Sequence, residues 1–88
     1  MKLHRRKLRL DTSAIYRICI QGCLDTHWSD YLAGLKIDCT AQPTGQQVTT
    51  LTGPLIDQAA LLGVLNGLYT FGLPLLSVEC LSIEGDEA

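Results

Sequence analysis

Charge is what this chain has least of. Only 18% of its 88 residues are Asp, Glu, Lys or Arg, while 47% are apolar; soluble domains usually carry about 25% charge. A second lack is a long apolar run. The most apolar segment, around Leu55 to Leu76, is interrupted by Asp57, Gln58, Asn66, Pro74 and several glycines. A membrane-spanning helix needs roughly 20 apolar residues in a row. The start of the chain has no apolar stretch of the kind a secretory leader carries. Phosphate-binding glycine patterns are missing too, with neither GxGxxG nor a P-loop. Together these lacks lead us to expect a soluble, cytoplasmic protein.

Cysteine is present but without a metal or redox spacing. Cys19, Cys23, Cys39 and Cys80 form no CxxC pair, the signature of zinc and thioredoxin-like sites. Cys39 and Cys80 share the alternation of Ile37 and Val78, which predicts a core-facing side, and Cys19 points the other way. Four reduced cysteines, no metal and no cofactor are the expectation, since a buried thiol behaves as a small hydrophobe.

What charge there is lies unevenly. Lys2, Arg5, Arg6, Lys7 and Arg9 are five of the seven basic residues, so a basic arm precedes an acidic domain. Such an arm can touch nucleic acid or an acidic partner. Its lack of any further pattern favours a solvated terminus, and nucleic acid is not the expected partner.

The remainder reads as two copies of one grammar. Ala14–Gln21 alternates as a strand, with Tyr16, Ile18 and Ile20 on one side. Asp25 caps a short helix, about Thr26 to Ala33, with Trp28, Leu32 and Tyr31 inward, and Gly34 stops it. Leu35–Ala41 is a second strand, and Gln42–Gln46 a hairpin turn. Val48–Thr52 is a third strand, ended by Gly53-Pro54. Asp57 caps a helix whose Leu61, Val64, Leu65, Leu68 and Phe71 recur at spacings of three and four. Gly72-Leu73-Pro74 stops that helix, and Leu75–Ile83 is the fourth strand. The order predicts an α+β, ferredoxin-like βαββαβ domain: a four-stranded antiparallel sheet, strand order 4-1-3-2, with both helices on one face. The expected organisation is a basic arm at 1–13, this domain at 14–83 and an acidic tail at 84–88.

The pieces Tyr16-Arg-Ile, Gln21-Gly22, Trp28-Ser29, Leu51-Thr-Gly-Pro-Leu55, Asp57-Gln-Ala-Ala-Leu61 and Gly72-Leu-Pro-Leu-Leu-Ser-Val78 resemble a family of small uncharacterised bacterial proteins, of actinobacterial and cyanobacterial type. The resemblance covers about residues 15 to 83 and transfers no activity and no catalytic residue. In topology the domain is also similar to ACT-type regulatory modules, which bind small ligands at dimer interfaces; that likeness is an analogy of fold.

Candidate chemistry is thin. His27 lies between Asp25 and Asp30, and Cys23 is near, so a His general base or a Cys–His pair is conceivable. Each of these residues also has a plain role as cap, core or solvated face. Thr50, Thr52 and Gly53-Pro54 stand before a helix start, where anions bind. Gly63 and Gly67, one turn apart, suit close packing. Leu62 and Tyr69 are apolar on the outer side of the second helix, and Arg17, Cys19 and Leu81 lie on the open sheet face. The sequence therefore points to a non-enzymatic interaction or regulatory module that self-associates, as a homodimer, through one of these two surfaces. An ACT-like ligand sensor is the alternative, and an enzyme using His27 or a cysteine a third.

Overall fold

A computed structural model describes residues 8–83. The arm residues Lys2, Arg5, Arg6 and Lys7, and the acidic tail 84–88, lie outside the described residues. The fold is α+β. Its strands are β1 (Ala14–Gln21), β2 (Lys36–Ala41), β3 (Gln47–Leu55) and β4 (Leu75–Ile83). They form one antiparallel sheet in the order β2-β3-β1-β4. A 3-10 helix, Thr26–Leu32, joins β1 to β2, and α1, Gln58–Thr70, joins β3 to β4.

Alternation builds the core side of the sheet. Ala14, Tyr16, Ile18 and Ile20 of β1 are buried, as are Leu51 and Leu55 of β3 and Ile37 of β2. Leu61, Val64 and Leu68 of α1, with Leu32 of the 3-10 helix, close over them in one cluster. The Asp57 carboxylate caps α1 by accepting the Ala60 N–H at 2.8 Å, satisfying a donor the helix cannot.

Several expectations are corrected here. The first helix is 3-10, and Trp28 and Tyr31 do not face inward: they are 43% and 62% exposed. At three residues per turn, side chains three apart eclipse. Trp28 and Tyr31 therefore line up beside Phe71, with centroids 4.9–6.0 Å apart, while Leu32 alone is buried among the helix residues. β3 does not end at Gly53-Pro54 but runs to Leu55. β2 begins opposite Thr52, so beyond that point β3 is an edge on one side, where proline is tolerated. β2 itself begins at Lys36 rather than Leu35.

The residues before β1 are tied down in part. Leu8 packs on the core cluster, and the Leu10 carbonyl accepts the Gln58 N–H at 2.8 Å. Neither extends the sheet.

The largest correction concerns cysteine. Cys23 and Cys39 are joined by a disulfide, with Cα atoms 5.6 Å apart, leaving Cys19 and Cys80 as free thiols. Cys39 does lie on the side of Ile37, but β2 is an edge strand, and Cys39 is exposed there. Thr49 accounts for the pairing. It lies opposite Cys39 in the register and is fully buried. Its hydroxyl donates to the Gly22 carbonyl at 2.6 Å and accepts the Leu24 N–H at 3.0 Å. Those bonds flank Cys23 and hold it over Cys39.

Candidate functional site

The open sheet face is polar and internally matched. Register places Lys36, Thr52, Arg17 and Glu79 in one row across the four strands, with Asp38, Thr50, Cys19 and Ser77 in the next. The Arg17 guanidinium donates twice to one Glu79 carboxylate oxygen, both at 3.1 Å. Cys19 Sγ and Thr50 Oγ1 are 3.8 Å apart. Leu81 has no partner in the ladder: Tyr16 pairs with Cys80 and Ile15 with Ser82, which makes Leu81 a half-buried bulge residue. Of the residues expected on this face, Arg17 and Cys19 thus stand on adjacent rows, and both have neighbours to satisfy them.

The short-helix cluster is structural in its visible bonds. Asp25 accepts the His27 N–H at 2.9 Å, and its oxygen lies 2.7 Å from His27 Nδ1. Ser29 Oγ donates to the Leu35 carbonyl at 2.6 Å. Cys23 is bonded to Cys39, so no thiolate stands beside His27 while that bond is closed. Thr50 and Thr52 point to the open face, and the start of α1 is filled by Asp57 and Leu10. Among the described residues, no group of three His, Cys, Asp or Glu side chains could hold a metal ion.

The other surface differs in kind. From Gln58 to Val78 no residue is charged. α1 buries Leu61, Val64 and Leu68 but turns Leu62, Leu65 and Tyr69, spaced three and four apart, toward the β4 side. It lies against β3 and the 3-10 helix, not over β4. The core-side residues of β4 therefore lack cover: Leu75 is opposite Ile20 and Val78 opposite Ile18, yet they are 52% and 38% exposed. Tyr69 is 85% exposed. Between helix and strand runs an open apolar groove of about 520 Å³, lined by Leu65, Leu68, Tyr69, Gly72, Leu73, Pro74 and Leu75. Cys80 sits further along β4, half-buried against the core, and burial pushes its thiol up from the ordinary value. Sequence reasoning found Leu62 and Tyr69 but missed the groove. The missing charge between Asp57 and Glu79 was its signal.

A profile of a domain of unknown function, DUF8691, matches residues 15–79. The chain belongs to this family. The DUF8691 match begins within β1 and ends within β4, and so takes in both helices and the groove. No curated protein and no solved structure matches the chain.

Proposed function

We propose that this DUF8691 domain is a non-enzymatic interaction or regulatory module that self-associates through the α1–β4 side. One observation carries the reading: the uncharged run Gln58–Val78 leaves Leu62, Tyr69, Leu75, Leu76 and Val78 exposed. Exposed apolar surface of this extent marks an interaction site. The alternative surface, with Arg17 and Cys19, is supplied with its own polar partners and does not need one.

In fold we classify the domain as ferredoxin-like. The order β2-β3-β1-β4, counted from the other edge, supports this. We retain a bacterial origin of actinobacterial or cyanobacterial type, on the Leu51-Thr-Gly-Pro-Leu55 and Asp57-Gln-Ala-Ala-Leu61 pieces. No helix among the described residues is long and apolar enough to cross a membrane. The cytoplasmic location expected from the sequence now depends on Cys23–Cys39, because closed structural disulfides persist mainly in oxidising compartments. Trapping thiols at the moment of lysis decides it: four free thiols favour the cytoplasm, and two favour an oxidising compartment.

Light scattering at micromolar concentration tests the module itself. Two chains per particle are expected, and a mass of one chain sinks the proposal. The ACT-like sensor draws on the groove. Its mark is a ligand-dependent rise in melting temperature across a metabolite panel, since binding to the native state stabilises by mass action.

A further inference from the structure

We infer that the occupant of the α1–β4 groove is a second copy of this chain, seated on a twofold axis so that each Tyr69 enters the partner's groove. This rests on the self-association proposed above and specifies its contact.

A twofold interface is self-complementary: the same patch must supply both anchor and pocket. This patch does. Tyr69 stands exposed on the groove's rim, and the groove beside it is an apolar slot of about 520 Å³. Aromatic side chains that fill a pocket near the centre of an interface carry much of its energy. The twofold also brings identical surfaces together, which is costly where they hold like charges. Here the run from Gln58 to Val78 holds none.

Other occupants fit less well. A small ligand needs convergent polar groups to orient it, and the groove lining offers the Tyr69 hydroxyl as its one polar side-chain group. A strand added to the edge of β4 needs a regular edge. β4 is bulged at Leu76 and Leu81, and bulges protect edges from such pairing. Area permits the dimer: a standard contact removes roughly 800 Å² per partner, about one seventh of the 5956 Å² surface here. The contacting side offers a helix of about 20 Å beside a strand of about 30 Å.

The test compares full-length protein with Tyr69→Glu and, on the opposite face, Arg17→Asp, by sedimentation and circular dichroism. The expected result is a wild-type dimer, an unchanged Arg17→Asp dimer, and a folded Tyr69→Glu chain whose dimer dissociation constant rises about 30-fold or more. A monomeric wild type overturns this inference and the self-association reading together. A folded Tyr69→Glu protein that remains as tightly dimeric overturns the inference alone. Should Tyr69→Glu fail to fold, isotope-filtered NMR on a mixed labelled and unlabelled wild-type dimer decides. Cross-peaks from the Tyr69 ring of one copy to Leu73 and Leu75 methyls of the other support the seating. Their absence in a proven dimer, or Tyr69 contacts only within its own chain, overturns it.

Discussion

At the scale of single residues, Thr49 does more for this fold than its place in a run of threonines suggests. A buried hydroxyl that both donates and accepts leaves two backbone groups unpaired when it is lost. Thr49→Val should therefore cost about 1–3 kcal/mol in denaturant titration, whereas Thr50→Val, on the open face, should stay within about 0.5 kcal/mol of the parent. Equal effects would show that the Gly22–Leu24 loop does not depend on Thr49. The cysteines offer a second residue-level test. Protein purified without reductant and then unfolded should yield two titratable thiols. In the folded state Cys80 should alkylate slowly at pH 8, because burial raises its pKa and so lowers its thiolate fraction. Cys23 and Cys39 are 16 residues apart, and a loop of that size is worth about 3 kcal/mol on the loop-entropy account. Cys23→Ser should lower the unfolding free energy by about that amount. Four free thiols in the unreduced protein would contradict the pairing.

At the scale of elements, α1 predicts opposite signs for two similar substitutions. A Cβ on Gly67 would sit 3.1 Å from Leu32 Cδ2, while one on Gly63 meets nothing within 4 Å. Gly63→Ala should gain about 0.5–1 kcal/mol from helix propensity. Gly67→Val should lose about 1–3 kcal/mol by pushing the 3-10 helix off α1. Chemical melts of the two variants read the difference directly, and two changes of one sign would remove the close approach at Gly67. These elements also show what local sequence carries. β1, α1 and β4 were legible because alternation and helical spacing are strong over eight or more residues, and their bounds fell close to expectation. The 3-10 helix was legible as a helix, but its pitch was not, and the pitch decides whether Trp28 and Tyr31 turn inward. The extension of β3 through Pro54 was hidden because tolerance of a proline depends on where the neighbouring strand begins. The Cys23–Cys39 pair depends on register between β2 and β3, and on Thr49 reaching the following loop. Neither can be seen in spacing. The groove escaped for a related reason: Val78 read as a core residue, Leu75 reaches the core side only through the bulge at Leu76, and the lateral position of α1 leaves both bare.

At the scale of the whole molecule, the sheet divides the surface into two characters. One broad face is a ladder of threonines and matched charges, and the opposite side ends in a bare apolar slot. Removing residues 1–12 tests how far the molecule relies on its lead-in. Leu8 would leave the core, and the Gln58 N–H would lose its acceptor. The melting temperature should drop by several degrees, as a loss of about 1 kcal/mol shifts a domain of this size by roughly 4–8 °C. An unchanged melting curve would show that neither contact matters. The pairing of Ala14 with Ile83 across β1 and β4 has another consequence. The chain enters and leaves the sheet at one corner, with Cα atoms of facing residues about 5 Å apart. The domain thus has a single doorway. It can be spliced into a surface loop of another protein without prising that loop open. Its own chain can also be joined at the doorway by a few glycines and reopened at the exposed Pro43–Gly45 turn. In that rearranged order the chain would begin with β3 and end with β2, and every strand would keep its neighbours.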